Sequence, residues 1–579
     1  MHLPRPFAIL LLLLPALLRG APPTVRSVSP VPQHLRAAVR TPIVVDFDVP
    51  IDTSSVTRGS FHVLGHWSGV VEGSFRFEAG NTRVTFFPSR DLSAGEMVLC
   101  NVARTVRSAA GDTMLRGHAW TFWVRTVPGS MQLTETSRIP IRSVSTVPIQ
   151  SYGAYGGDFN GDRALDLAIP NEISNDVRLF LNDGRGGYGP FTIHPIPGGS
   201  RPSPNEGADF NGDGRLDYVV GNTGNDLLAL FTGNGAGGFS QVTTHTAAAS
   251  VRGVALLDLE GDGDIDVATA NRTASNLSLF RNDGRGVLST AQPVEANCSQ
   301  ETALAAADMN GDGALDLVVG AYGSSEIAVL LNDGTGGFTF SQKRSARGRP
   351  WMIAVGDVNG DGKADVVSAN STANNAAVLM GDGTGRLDSA AVYSTGGFPL
   401  AIDVGDIDGD GDLDLVTSNF SGVSWSVFEN PGNGLFGNRR TLPASGAGSC
   451  ATLYDPDNDG DLDMAGIDEI DDLLFLFRNA PPSAVGQGTD VPAGPRLEQN
   501  YPNPFNPSTT IRFTLLHPGF VRLVLYDVLG RAVRTVLEGS MEGGSHEVAF
   551  DAAGLASGVY LYELQTPGFR DTRMMVLAR

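Results

Sequence analysis

Apolar residues in this chain fall in short runs broken by Gly, Asn and Asp, and no run keeps a helical spacing for long. Met352-Ile353-Ala354-Val355-Gly356 leads into the polar stretch Asp357 to Asp365, and Val366-Val367-Ser368-Ala369 leads out of it. Val329-Leu330-Leu331 ends in the turn Asn332-Asp333-Gly334-Thr335-Gly336-Gly337-Phe338. Short β-rich runs bounded by turn residues predict strands. The pattern recurs. Similar loops open at Asp158, Asp209, Asp258, Asp308, Asp357, Asp406 and Asp455, at intervals of 51, 49, 50, 49, 49 and 49 residues. A four-stranded unit of that period is a propeller blade, so residues 131–480 are expected to form a seven-bladed β-propeller. The last unit stops at Asn479 after its third strand, while Gln132 to Val144 precedes the first loop in the place of a fourth strand. That segment is predicted to complete the last blade and remove the open sheet edge.

The flanking regions are also all-β. Residues 22–127 hold short runs such as Ile43-Val44-Val45-Asp46-Phe47-Asp48 and Arg83-Val84-Thr85-Phe86-Phe87, and end in Ala119-Trp120-Thr121-Phe122-Trp123-Val124. They predict a separate β-sandwich that acts as a spacer, its Trp residues in its own core. After a Pro/Gly/Ala-rich linker, residues 481–496, strands are expected at Val521 to Tyr526, Ser545 to Phe550 and Gly558 to Leu564, giving a small C-terminal β-sandwich over 497–579. At the N-terminus, Arg5 precedes the apolar run Ile9 to Leu18 and small residues follow, which reads as a signal peptide, residues 1–21. No later run is long enough for a membrane helix.

Charge narrows the function. The chain has 579 residues and a formal net charge of −22, which argues against nucleic-acid binding and points to carboxylates neutralised by cations. The three cysteines, Cys100, Cys298 and Cys450, carry no metal spacing and read as packing residues. The loops are the cation candidates, with oxygen-bearing side chains at positions 1, 3, 5 and 9 of each. In loop 1 these are Asp158, Asn160, Asp162 and Asp166; in loop 2, Asp209, Asn211, Asp213 and Asp217; in loop 3, Asp258, Glu260, Asp262 and Asp266. In loop 4 they are Asp308, Asn310, Asp312 and Asp316; in loop 5, Asp357, Asn359, Asp361 and Asp365. Loop 6 offers Asp406, Asp408, Asp410 and Asp414, and loop 7 offers Asp455, Asp457, Asp459 and Asp463. Alternate oxygens on a tight loop suit Ca2+, a hard cation of six to eight ligands. Position 6 is Gly214, Gly263, Gly313, Gly362, Gly411 or Gly460 in six loops and Arg163 in the first, which is therefore expected to be the weakest site. An EF-hand needs an acid at position 12, where these loops carry Ile169, Val220, Thr269, Val319, Ser368, Thr417 and Gly466. The other reading is a set of Asx-rich turns without metal.

The loop pattern resembles the FG-GAP/VCBS repeats of integrin-α-like propellers across residues 131–480. The resemblance implies about six or seven structural Ca2+ ions. Ser27-Val28-Ser29-Pro30, Phe47-Asp48-Val49-Pro50-Ile51-Asp52 and Val84-Thr85-Phe86-Phe87-Pro88-Ser89 resemble bacterial Ig-like domains of the SbsA type. Asn500-Tyr501-Pro502-Asn503-Pro504-Phe505-Asn506-Pro507, Tyr526-Asp527 with Gly530-Arg531, and Ser557-Gly558-Val559-Tyr560 resemble the type IX secretion C-terminal sorting domain. That resemblance implies handling by the type IX machinery and a secreted or surface-attached protein of a Gram-negative-type bacterium.

No Gly-x-Ser-x-Gly, His-Glu-x-x-His or phosphate-binding Gly/Lys loop is present, and the propeller has only His194 and His245, both on expected fourth strands. The chain is therefore expected to be a non-enzymatic, monomeric binding or adhesion protein for a glycan or protein partner. A structural spacer and an extracellular polysaccharide-degrading enzyme are the alternatives. The face opposite the loops gathers Tyr152, Arg252, Tyr322 and Trp351, residue types that anchor interfaces and sugars; strand-ending Asn residues and a packed Trp351 are the plainer reading.

Overall fold

Alternation fixes the first sheet of the N-terminal module. Ile43, Val45 and Phe47 are buried while Val44 and Asp46 between them are half-buried, as one covered face requires. The computed structural model describes residues 21–144, 146–479, 496–497, 500, 503, 505–515, 519–528, 531–541, 544–566 and 569–578. The expected signal segment and nearly all of the linker lie outside the described residues.

The module is a sandwich of two four-stranded sheets. One runs Val25–Ser29, Ile43–Phe47, Arg83–Pro88, Gly73–Glu78; the other runs Gly69–Val70, Phe61–Gly65, Met97–Val102, His118–Trp123. Val45, Phe86, Phe61, Cys100, Trp120 and Phe122 share the core between them. The second sheet does not alternate. His118–Trp123 is almost wholly buried, because its other face packs on the repeats. Trp120 belongs to the sandwich core, but Trp67 and Trp123 pack with repeat residues such as Leu462 and Leu413. The expected separate spacer is thus a docked module, and two of its Trp residues serve the interface.

Seven four-stranded sheets follow, the first six each a meander in chain order, and neighbouring strands are antiparallel in all seven. Blade 4 is Glu301–Ala307, Asp316–Ala321, Glu326–Asn332 and Phe338–Ser345. In every blade the second strand is buried at all positions, since it lies mid-sheet with neighbouring blades on both faces. The seventh sheet is closed as expected: Leu473–Arg478 pairs antiparallel with Thr134–Pro140, from Leu473 opposite Pro140 to Arg478 opposite Thr134.

The described residues from Arg496 onward form a second compact unit. A three-stranded sheet of Arg496–Leu497, Ser508–Leu515 and Gly544–Asp551 faces a four-stranded one of Ala532–Met541, Gly519–Asp527, Gly558–Thr566 and Phe569–Leu577. Ile511, Phe513, Leu523, Tyr562 and Met575 fill its core. Asn500 of the opening motif donates its backbone N–H to Tyr562 Oη at 2.7 Å and its amide to Thr509 Oγ1 at 2.9 Å, which pins the entering chain. No helix among the described residues is long and apolar enough to cross a membrane.

Candidate metal loops and binding face

Each loop winds its backbone around its first aspartate. In loop 4, Asp308 Oδ1 accepts from Gly311 N at 2.7 Å and Oδ2 from Gly313 N at 2.9 Å, while Asn310 Oδ1 accepts from Asp312 N at 2.9 Å. Asp316, at position 9, begins the second strand; its Oδ2 accepts from Met309 N at 2.9 Å and its Oδ1 from Asn332 N at 2.8 Å. The same pin recurs at Asp166, Asp217, Asp266, Asp365 and Asp414, tying loop, second strand and third-strand end together. The winding needs left-handed backbone at position 6, where φ is +81° at Gly362 and +75° at Arg163. Arg163 is therefore strained where glycine is free. We expect Arg163→Gly to raise stability by about 1 kcal/mol and tighten metal binding at loop 1. Calorimetry of the variant with and without calcium reads both, and equal or lower stability would refute the strain argument.

Loops 6 and 7 carry the clearest cation geometry. Carboxylate oxygens of Asp406, Asp408 and Asp414 all lie within 4.8 Å of one another, as do those of Asp455, Asp457 and Asp459. Asp406 Oδ1, Asp455 Oδ1 and Asp457 Oδ1 are buried without a hydrogen-bond partner. Burial, and then the neighbouring carboxylates, push Asp408 up to about 6 and Asp455 to about 7. Burial likewise lifts Asp414 to about 9, partly opposed by the Asn430 N–H. Orphaned, desolvated carboxylates converging on one point fit a divalent cation. Some expected ligands are engaged elsewhere. Glu260 is ion-paired with Arg281 at 2.9 Å, and Arg478 reaches both Asp457, at 3.0 Å, and Asp463. Loop 1 is thus not alone in holding a nearby cation. Arg281 and Arg478 occupy the register held elsewhere by Leu181, Thr232, Leu331, Met380 and Glu429, at the third-strand end, a signal that inspection of the loops by themselves misses.

The N-terminal module covers this loop face. Asn101 Nδ2 donates to Asp258 Oδ2 at 2.6 Å, and Thr126 Oγ1 to Asp406 Oδ2 at 2.9 Å. Backbone N–H groups of Arg104, Ala119 and Val127 donate to the carbonyls of Gly261, Gly313 and Gly460 at 2.7, 2.7 and 2.8 Å. The docking therefore reads the loops' shape directly.

At the other end of the ring, the residues at one register, on the first strand of a blade or just before it, converge on the channel mouth: Tyr152, Ser203, Arg252, Thr302, Trp351, Leu400 and Ser449 all line one cavity of about 360 Å³. The Arg252 guanidinium lies 4.6 Å from the ring centres of both Tyr152 and Trp351, and bonds Tyr152 Oη at 2.5 Å. Tyr322 stands edge-on to Trp351 at 5.5 Å. The four residues singled out from the sequence are brought together, with Trp351 and Tyr322 half-buried.

One layer deeper the ring is Tyr155, Glu206, Ala255, Ala305, Ala354, Asp403 and Thr452, acids on one side and small alanines on the other. These acids were missed, although their register was visible three residues before each loop. Burial, then Asp403 nearby, pushes Glu206 up to about 8. Burial raises Asp403 to about 6 and lowers His66, on the same wall, to about 4. Because the folded-state pKa of Glu206 is raised, the stability its proton confers is complete below the unfolded value near 4.5 and is lost as pH rises through about 8. Glu206→Gln should therefore raise stability most above pH 8, by up to roughly 2–3 kcal/mol once water in the channel is allowed for, with the gap, read from melting curves across pH, closing toward pH 4.5. A gap independent of pH would reject this account.

Each propeller histidine bonds a threonine hydroxyl two residues before it on its own fourth strand: His194 Nε2 lies 2.8 Å from Thr192 Oγ1 and His245 Nε2 lies 3.1 Å from Thr243 Oγ1. Cys100, Cys298 and Cys450 are free thiols.

Comparison with known families returns the FG-GAP-like repeat at residues 158–220, 209–269, 258–319, 308–368, 357–417 and 406–465, a bacterial Ig-like domain at 20–124, and a secretion system C-terminal sorting domain at 499–577. No curated protein matches the chain. Among solved structures, a functionally unknown protein from Desulfotomaculum acetoxidans DSM 771 aligns at 13% identity and a TM-score of 0.36, covering 65% of this chain and 96% of its own. A protein from Bacteroides uniformis ATCC 8492, described as a putative 6-phosphogluconolactonase, aligns at 15% identity and a TM-score of 0.38, covering 57% of this chain and 96% of its own. Similarity at that level carries no argument about activity.

Proposed function

The chain belongs to the FG-GAP-like repeat family and its sorting domain marks it as secreted or cell-surface, and from that premise we propose that it is a calcium-stabilised binding protein for a glycan or protein partner. One observation carries the reading: the N-terminal module covers the loop face, so the opposite face, with Tyr152, Arg252, Tyr322 and Trp351 at its centre, is the one left to a partner. Calcium belongs in the loops, held by the aspartates at positions 1, 5 and 9, the Asp, Asn or Glu at position 3, and a position 7 carbonyl. Its role is structural, since each loop joins the first two strands of a blade. The docking of the module on the loops argues against a simple spacer. We further read the chain as non-enzymatic, on the support that its two propeller histidines are paired only with threonines on their own strands. A polysaccharide turnover assay with His194 and His245 replaced tests that reading, and saturating turnover lost on either replacement would overturn it.

The test of the binding face is Trp351→Ala in the full chain, screened on glycan arrays and in pull-downs of surface proteins. Trp351 is half-buried at the mouth, so its loss should weaken the bound partner about tenfold or more while leaving the melting temperature within a few degrees. Undiminished binding would move the site off this face, and the absence of any partner would favour the structural alternative.

A further inference from the structure

At the channel mouth, arginines and aromatic rings interleave. Arg272 lies 4.8 Å over the Tyr322 ring and 5.2 Å over Trp351, Arg349 lies 5.0 Å over Tyr322, and Arg252 lies between Tyr152 and Trp351. Three guanidiniums thus share three aromatic rings. The polar partners of Arg252 are hydroxyls, those of Ser203 and Tyr152. Neither Arg272 nor Arg349 has an ion pair or a side-chain hydrogen bond among the described residues, which is unusual in a chain of net charge −22 where carboxylates are plentiful. Backbone bonds from Arg272 N to Ser250 O, at 2.8 Å, and from Ser371 N to Arg349 O, at 3.0 Å, fix where these side chains start. Burial, then repulsion from Arg252, lowers the basicity of Arg272. Of the acids across the mouth, Glu469 accepts from the Gln150 amide at 2.7 Å rather than from an arginine.

A guanidinium held over an aromatic ring without a carboxylate partner keeps its N–H groups for an oxyanion, which it can bind bidentately. The ring faces are already covered by arginine, so they are poor sockets for the apolar anchors of a protein interface. Below them, the Ser203, Thr302 and Ser449 hydroxyls are engaged within the protein, and the open polar group is Asn205 Oδ1, buried without a hydrogen-bond partner. A concave, cationic mouth with an open acceptor at its neck matches an anionic ligand that also carries hydroxyl donors. We propose that this mouth binds an acidic polysaccharide through its carboxylate or sulfate groups, with Arg272 and Arg349 as the anion-reading residues; this rests on the opposite-face reading above.

The test is affinity electrophoresis of the full chain at saturating calcium and physiological salt, in gels containing polygalacturonate, dextran sulfate or neutral dextran. Retardation by an acidic polymer and not by dextran is expected, and which acidic polymer acts separates carboxylate from sulfate. The net negative charge of the protein opposes any nonspecific retention. Arg272→Gln and Arg349→Gln should each weaken retention about tenfold or more with an unchanged melting temperature, and Arg272→Lys should restore it in part. Equal retardation by dextran would leave the face a glycan site but end the anionic assignment. Acidic retardation insensitive to both glutamine variants, or none by any polymer, would also overturn the proposal. A protein partner lost on Trp351→Ala would then show that the face reading survives without it.

Discussion

Chelating calcium from residues 22–480 should lower the melting temperature by about 20 °C. The magnitude follows from linkage. A site held at about a hundredfold excess over its dissociation constant stabilises the folded state by roughly 2.7 kcal/mol. Six glycine-bearing loops give about 16 kcal/mol, which exceeds the 5–15 kcal/mol typical of a whole domain. Roughly 350 residues at about 2.1 cal/mol/K each turn that into some 20 °C. The loss would be shared by six of the seven blades, because they carry the same two-bond pin. The position 9 aspartate that would face the ion also holds loop, second strand and third-strand end by two N–H bonds. Without a cation, burial favours its neutral form, as for Asp414 at about 9. Differential scanning calorimetry with chelator, then with calcium or magnesium restored, reads the effect. Magnesium should restore less, because it resists giving up its waters. A shift of only a few degrees would mean the loops are Asx turns without metal, and the proposed cofactor would be withdrawn.

The blades were legible because their signals are local. The Asp/Gly loop, the short apolar strand and the Gly-rich turn all sit within one period, so spacing alone orders them. The closing strand was legible too, since the last unit ran out at Asn479 and Gln132 to Val144 had no other place. What escaped were pairings between distant parts. Arg478 lies well beyond Asp457 along the chain and meets it only once the third strand has returned to the loop. The docking of the module had a trace in the sequence. Ala119-Trp120-Thr121-Phe122-Trp123-Val124 is apolar at successive positions, as in a strand buried on both faces, while the single-faced strand Ile43–Phe47 alternates. The trace names no partner surface, and Trp123 could be assigned to the propeller only when Val404 and Leu413 were seen against it. Glu206 and Asp403 were hidden differently. Each is one acid in a run of small or apolar residues, and only superposing the blades by register puts both in one layer of the channel.

Deleting residues 131–144 from the chain should abolish folding, with or without calcium. The segment closes the ring by pairing with Leu473–Arg478, and it buries Met131, Leu133 and Ile141 at 3%, 6% and 0% exposure. Three such side chains are worth about 6–8 kcal/mol of burial, before the ladder hydrogen bonds are counted. Asp472, fully buried in the intact chain, would also lose Arg142, its ion-pair partner at 2.6 Å. That sum rivals the net stability of a domain, so no folded remnant is expected. Misfolding of a truncated chain is weak evidence by itself, and a permutant makes the claim sharp. Because Arg478 lies opposite Thr134 and Asn479 Oδ1 accepts from Ser130 N at 3.0 Å, the end of the last third strand already sits beside the start of the closing strand. Residues 145–479 followed by 131–144 through a short Gly-containing turn would form the same last blade as one continuous meander. Compared with residues 131–479, this permutant should melt cooperatively within a few degrees, whereas 145–479 should show no transition. If 145–479 melts cooperatively, the ring does not depend on strand closure. If the permutant fails while 131–479 folds, closure needs the chain order itself, and pairing across the seam is not what holds the blades together.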